Sequence, residues 1–455
     1  MKFIAIICGK LAIIAGKILK RGSVLPGRIA LKLDKKIMYK IKLPKIVIAV
    51  TGSSGKGSTT KLIADSLNDN GYSIVHNVSG ANLTDGILTT ILENCTLSGK
   101  VKKDAFIVET DERYAKYVFP AIKPNYVVIT NITRDQPPRQ GNFDLVFNEI
   151  KKALNKDMNL ILNADDPYLQ KFALDFDNIT YYGINKNEFS SKNPIFENLN
   201  LVYCPKCNNK LEYDFLHFEN IGYYKCPNCD LTHPVNNYSV TEINYEKQEI
   251  TINDNKVKIP FPMLFAVYNT LAAYTVLSLY LSEDKVAKSI NKNTICNIKQ
   301  FNCLKENNRL IYVLNNKNEN STTFNQSLLF LNRDSKAKTI VIGWKEISRR
   351  YKYNDLSWLY DINFEMLKNH NIEKLICVGV QRYDIATRLK LANVPQDKII
   401  CFENLNESCQ YLKKETKENI YAILNFDYVE PFTEFMKEEK SLQKTGWTAM
   451  PSILP

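Results

Sequence analysis

IVIAVTGSSGKGSTTKLIADSL, residues 46–67, runs a β-branched strand into a glycine-rich turn and then into an amphipathic helix. In that order, backbone N–H groups of the turn and the helix N-terminus converge on one point, a geometry suited to phosphate. Gly52, Gly55 and Gly57 let the backbone approach an anion, and Lys56 can neutralise β- and γ-phosphates. The turn departs from the strict GxxxxGK[ST] pattern, with Val50 at the first glycine and Gly57 at the hydroxyl position. Ser58, one residue later, is then the expected hydroxyl ligand of Mg²⁺. The candidate phosphate loop is Gly52, Ser53, Ser54, Gly55, Lys56, Gly57, Ser58 and Thr59.

Outward from this loop, short β-branched runs alternate with helical stretches: FIVET at 106–110, YVVIT at 126–130 and LIL at 160–162. Such alternation reads as βαβ units building a parallel sheet. Near residue 195 the texture changes to a Cys-containing insert; 239–260 then reads as antiparallel strands, and 266–281 as a helix. From about residue 299 a second alternating series begins, with LIYVL, TIVIGW, LICVGV, IICF and IYAILNF. The expected fold class is α/β. It comprises a basic arm over 1–44, a P-loop ATP-binding domain with a parallel sheet over 45–298, and a Rossmann-like α/β domain over 299–455. A four-cysteine zinc ribbon is inserted at about 200–233, and the polar stretch 291–302 reads as the linker between the two domains.

A chain of 455 residues, 45% hydrophobic, can bury two or three cores. Its formal charge of +12 is unevenly placed: residues 1–45 hold twelve Lys/Arg and one acid, Asp34, a net +11. A near-neutral body beside a basic arm argues against nucleic acid and for local attraction to an anionic surface. Lys10 and Lys17 break the apolar start into runs too short to span a bilayer. On a helix, Lys2, Lys10, Lys17, Lys20 and Arg21 share one side, with Ile and Leu opposite. Two readings follow, an interfacial helix on anionic membrane or a helix docked on its own domain; a cleaved signal peptide fits less well.

Eleven cysteines, four of them in two CxxC pairs, point to a reducing, cytoplasmic compartment. Cys204, Cys207, Cys226 and Cys229 form C-x₂-C-x₁₈-C-x₂-C, a spacing that can set four thiolates tetrahedrally round structural Zn²⁺. The alternative is two reduced, unligated pairs. Cys8, Cys95, Cys296, Cys303, Cys377, Cys401 and Cys409 read as small core residues.

TGSSGKGS is similar to the TGxNGK[GT][ST] loop of the Mur and folylpolyglutamate ligase superfamily, and further segments follow in that superfamily's order. ETDE at 109–112 looks like its acidic metal-binding segment, implying Glu109 as a second Mg²⁺ ligand. TNITRDQ at 130–136, LNADDP at 162–167 and VYNTLAA at 267–273 look like its nucleotide-site segments, implying Asn131, Asn163 and Asn269 as nucleotide contacts. Within the superfamily the chain resembles the MurT family. RGSVLPGRIALKLDKKI at 21–37, SGANLTDG at 79–86, Gln136, DLSWLYDINFE at 355–365 and VGVQRYDIATRLKLANV at 378–394 carry that likeness.

The resemblance implies ATP-dependent amidation of the D-glutamate α-carboxylate of lipid II to D-isoglutamine through an acyl phosphate. The four histidines, His76, His217, His233 and His370, lie in no recognisable Cys/His glutaminase signature. Ammonia would then come from a GatD-like class I glutamine amidotransferase in a heterodimer. The resemblance gives Asp355 the role of orienting that partner's catalytic histidine; on local chemistry alone, an Asp before Ser-Trp reads as a helix cap. Some segments depart from the family pattern. Phe301, Asn302 and Cys303 stand where FGR is usual, NNKNENSTTFNQ at 315–326 replaces a KNPxGxN-like stretch, and NFDY at 425–428 replaces a TYT-like one. Two other functions fit these departures: an amino-acid-adding ligase, or a nucleotide-binding scaffold for the amidotransferase.

Overall fold

The computed structural model describes residues 1–19, 24–77, 81–134, 142–196, 203–294, 301–306, 308–316, 320–345, 355–368 and 371–437. Gln136, Cys296, His370, Lys20, Arg21, Ser79 and Gly80 lie outside them, as does the expected 298/299 domain boundary.

Two sheets organise the chain. The first takes β1 (Ile46–Thr51), β2 (Ile74–His76), β3 (Ala105–Glu109), β4 (Tyr126–Ile129), β5 (Asn159–Asn163) and β6 (Ile179–Ile184). After the insert, which folds as the hairpin β7 (Glu212–Phe218) and β8 (Ile221–Lys225), come β9 (Tyr238–Asn244), β10 (Glu249–Ile252) and β11 (Asn255–Lys258). The order is β11-β10-β9-β6-β5-β4-β1-β3-β2, parallel from β2 to β9 and antiparallel beyond. The expected antiparallel strands therefore extend the parallel sheet. The second sheet has β12 (Phe301–Glu306), β13 (Arg309–Asn316), β14 (Lys338–Trp344), β15 (Ile372–Gly379), β16 (Ile399–Phe402) and β17 (Asn419–Asn425). Its order is β12-β13-β17-β14-β15-β16, with β12 antiparallel.

Burial on both faces explains the continuous β-branched runs of β1 and β4. Successive side chains alternate faces: Ile48 and Val50 join the helix Leu264–Leu277, while Val47 and Ala49 join the helices Thr84–Asn94 and Ala115–Ile122. Leu264–Leu277 is apolar all round because it is enclosed, by the sheet and the helix Lys56–Asp69. The core beside it continues into the second domain through Phe301, Tyr312 and Phe330.

The basic arm packs on its own domain. Its helix Lys2–Ile18 seats Ala5, Ile6 and Gly9 against the rest of the chain; a Cβ at Gly9 would stand 2.7 Å from Leu92 Cδ1. The lysine side lies toward the domain at its N-terminal half, with Lys10 Nζ donating to Leu92 O at 2.7 Å, while the exposed Lys17 pairs with Glu93 at the surface at 2.6 Å. The apolar side turns out: Phe3, Ile4, Leu11, Ile14, Ile18 and Leu19 are each 53–77% exposed. Among the described residues no helix is long and apolar enough to cross a membrane.

Candidate active site

The parallel strands deliver their C-terminal ends to one edge of the sheet, where open α/β sheets bind ligands. Register places Val50 beside Glu109 and Thr51 beside Ile129. A cavity of about 360 Å³ opens there, between the first sheet and the C-terminal domain. Ser53, Ser54, Gly55, Lys56, Gly57, Ser58, Glu109, Asn131, Asn163 and Asn269 all line it. Gly52, Thr59 and Asp355 do not. Thr59 is fully buried in its helix, its N–H donating to Gly55 O at 3.0 Å.

Gly52 (φ 125°) and Gly55 (φ 81°) hold left-handed conformations that turn the chain from strand to helix. Gly55 also admits a neighbour, since a Cβ there would lie 2.2 Å from Asn269 Oδ1. The loop is held from behind by the strap Thr130–Arg134. Asn131 O accepts from Ser53 N at 3.0 Å, Asn131 Oδ1 from Ser54 N at 3.0 Å, and Thr130 Oγ1 donates to Ser54 O at 2.6 Å. Lys56 Nζ donates to Gly52 O and Ser53 O and pairs with Glu112 at 3.2 Å. Burial and the adjacent Glu112 carboxylate together raise Asp111 above the usual carboxylate range.

Glu109 Oε2 lies 3.1 Å from where a Cβ of Gly57 would stand, and Asn82 Nδ2 donates to Oε1 at 3.0 Å. A hydroxyl and a carboxylate beside a phosphate loop are hard oxygen donors, which fits Mg²⁺. The four ribbon thiols also converge: Cys204 and Cys229 Sγ are 3.6 Å apart, Cys207 and Cys226 Sγ 3.4 Å, and all four lie within 4.8 Å. Zn–S bonds of about 2.3 Å in a tetrahedron require S···S near 3.8 Å, so the set fits zinc. Lys206 N and Asn228 N each donate to a cysteine sulfur at 3.4 Å.

Other cavity residues carry no recognisable signal in the sequence. The ribbon hairpin brings its turn, Phe218–Ile221, to the cavity wall. Bonds that fasten the ribbon to the sheet and the turn after β5 include Tyr224 Oη to Ala164 O at 3.1 Å, Gly222 N to Asp165 O at 2.9 Å, His217 Nε2 with Ile184 O at 2.9 Å and, just past the hairpin, His233 Nε2 with Asp165 Oδ1 at 2.8 Å. From the C-terminal domain come Asn315, Asn316, Thr322, Thr323 and Gln326, so the departing segment 315–326 still lines the site. Phe301–Cys303 stands away from it, in β12, where Phe301 packs on Phe330 and Tyr312. Asp355 is half-buried in the C-terminal domain; Ser357 N donates to its Oδ1 at 2.8 Å, capping the turn Ser357–Asp361. A hydrogen bond from the Ser357 side chain, aided by this backbone bond, holds the Asp355 carboxyl below its usual range, against the effect of burial.

Solved structures share this fold. A pseudomurein peptide ligase type C from Methanothermus fervidus aligns with TM-score 0.66 at 19% identity, covering 89% of this chain and 81% of its own. The MurF ligase from Thermotoga maritima in complex with ADP gives 0.58 at 17%, covering 90% and 83%. Family models match residues 50–228 as a Mur ligase middle domain and 317–428 as a MurT ligase C-terminal domain. Two curated relatives are named lipid II isoglutaminyl synthase (glutamine-hydrolyzing) subunit MurT. That of Staphylococcus aureus (strain COL) is 32% identical over 379 residues, 82% of this chain and 84% of the relative. That of Streptococcus pneumoniae (strain ATCC BAA-255 / R6) is 26% identical over 434 residues, 94% and 95%. The phosphate loop, the two-domain cavity and these likenesses agree: the chain belongs to the MurT family of Mur ligases.

Proposed function

We propose that this chain is the ATP-dependent ligase subunit of a lipid II isoglutaminyl synthase, amidating the D-glutamate α-carboxylate of the lipid-borne peptide to D-isoglutamine. The observation that carries this reading is a phosphate loop facing the C-terminal domain across one cavity in a MurT-family chain. Loop N–H groups and Lys56 bind the ATP phosphates, Lys56 exchanging loop carbonyls for phosphate oxygens. Ser58 and Glu109 would hold Mg²⁺, whose charge would help neutralise the phosphates. The substrate carboxylate attacks the γ-phosphorus and ADP leaves; ammonia then attacks the acyl carbon, sheds a proton and displaces phosphate. Fixed donors aimed at the developing charge supply the rate. Asn131, Asn163 and Asn269 position the nucleotide, and Cys204, Cys207, Cys226 and Cys229 would hold a structural Zn²⁺.

Ammonia comes from a GatD-like class I glutamine amidotransferase, whose histidine Asp355 orients. The test uses the complex with ATP, glutamine and lipid II, reading product mass. Lys56→Ala is expected to slow amidation by about 10²–10³; a parental yield of amidated product would sink the reading. Incorporation of an amino acid would support the amino-acid-adding alternative, and partner binding without turnover the scaffold.

The arm places the enzyme at the membrane that carries its substrate. An apolar stripe facing water beside a +11 segment suits an anionic interface. Deleting residues 1–20 should abolish flotation with anionic liposomes; unchanged flotation rejects this placement.

A further inference from the structure

Arg134 ends the strap behind the phosphate loop, and its guanidinium reaches into the C-terminal domain. Nη1 pairs with Asp361 Oδ2 at 2.7 Å and Nη2 donates to Ser357 Oγ at 2.8 Å. One residue back, Thr133 N donates to Ser53 Oγ at 2.9 Å, and two further back Asn131 holds Ser54. Ser357 in turn gives its N–H to Asp355. A run of direct hydrogen bonds therefore joins the loop that takes phosphate to the carboxylate assigned to the partner.

The same segment is tied a second time. Hairpin turns normally lie at the surface, yet Glu219 and Asn220, at the ribbon tip, are each only 5% exposed. Glu219 adopts φ 45°, a left-handed conformation that is strained for a non-glycine residue, so its surroundings must hold it. Its Oε1 accepts from Asn325 Nδ2 at 2.9 Å; that amide also donates to Asp361 O at 3.2 Å, and its oxygen accepts from Asn363 N at 2.8 Å. Residues 357–363 are thus pinned to both sides of the nucleotide cavity, by Arg134 from the phosphate-loop strap and by Glu219 from the ribbon.

We propose that Arg134 and Glu219 are positioning residues that fix Asp355 from the nucleotide cavity, so that nucleotide in the phosphate loop sets the rate at which the partner hydrolyses glutamine. This rests on the reading of Asp355 as partner-directed. Two ligands that favour the same arrangement of one shared segment are energetically coupled, by about fivefold or more in typical cases. The arrangement withholds ammonia until the carboxylate can be activated.

The experiment measures glutamate release by the intact complex with and without a non-hydrolysable ATP analogue and Mg²⁺. The parent should respond about fivefold or more to the analogue. Arg134→Ala should bind the analogue as the parent does, yet release glutamate at one rate in both conditions; Arg134→Lys, which keeps the charge, should recover part of the response. Circular dichroism checks the fold. Should Arg134→Ala fail to fold, Ser357→Ala removes the hydroxyl through which Arg134 reaches Asp355 and should weaken the response. A parent indifferent to the analogue, or an Arg134→Ala or Ser357→Ala complex that responds like the parent, overturns the proposal. Asp355→Asn separates the two layers. Glutamate release unaffected by that change rejects the partner-directed role itself and the proposal with it, whereas lost release with an unresponsive parent rejects the coupling alone.

Discussion

The two walls of the nucleotide cavity differ in how they are made. One is the edge of the parallel sheet, where Ser53–Ser58, Glu109, Asn131 and Asn163 follow directly from strand ends. The other is assembled from distant pieces: the ribbon turn Phe218–Ile221 and the helix Ser321–Asn332 of the second domain. The first wall depends on local backbone geometry, the second on long-range ties such as Glu219 to Asn325 and Gln326 Oε1 to Phe265 N at 2.7 Å. The first wall thus presents groups set by strand ends, and the second presents groups set by bonds between segments far apart in the chain.

Removing the zinc proposed for the ribbon should break the second wall most completely, because structural zinc contributes about 10–16 kcal/mol of apparent binding energy to a small site. Cys226→Ser is expected to lose bound zinc, lower the melting temperature and weaken nucleotide binding, as read by metal analysis, calorimetry and a fluorescent ADP analogue. If the nucleotide affinity survives metal loss, the ribbon turn is not part of the functional wall. Lys56→Ala attacks the first wall and should cost about 10²–10³ in amidation rate; because it also removes the lysine paired with the buried Glu112, the melting temperature should fall as well.

Asp166, at the join of the walls, gives a smaller, pH-dependent effect. Burial pushes its carboxyl from the ordinary 3.8 up to about 7. Between those values the folded chain keeps a proton that the unfolded chain releases, so this contribution is fully present below 3.8 and is lost as pH rises through 7. Asp166→Asn retains an acceptor for Tyr168 N–H and carries no charge. Its melting temperature should exceed the parent's at about pH 8 and converge with it toward about pH 4; equal curves throughout would place the carboxylate in a solvated setting. Gln326→Ala should be the mildest, leaving Phe265 N–H without its partner at a cost of about 1–3 kcal/mol, seen as a modest fall in melting temperature.

What is legible in the sequence follows the same division. The phosphate loop can be read because its strand, glycines and helix are contiguous, and the thiol cluster because four sulfurs at that spacing have few other uses. The ribbon turn cannot, since Glu219–Asn220 looks like any polar hairpin turn until its burial is seen. Segment 315–326 reads as a lost motif, yet Asn315, Asn316, Thr322 and Thr323 still face the cavity, because the fold positions the segment whatever its side chains. Phe301–Cys303 stands in sequence where the family carries an arginine; its first side chain is absorbed into an aromatic cluster. For the arm, the periodicity separates two sides without telling which meets the domain. The small residues Ala5 and Gly9 decide that by allowing close approach on the lysine side.

That orientation has a consequence at the bench. With Leu11, Ile14 and Ile18 facing water, concentrated detergent-free preparations have a greasy seam on which two molecules can stick. Tailing on size-exclusion columns and recovery on adding mild detergent would be expected of the full-length chain, and both should vanish once the first helix is trimmed or its outer leucine and isoleucines are made polar.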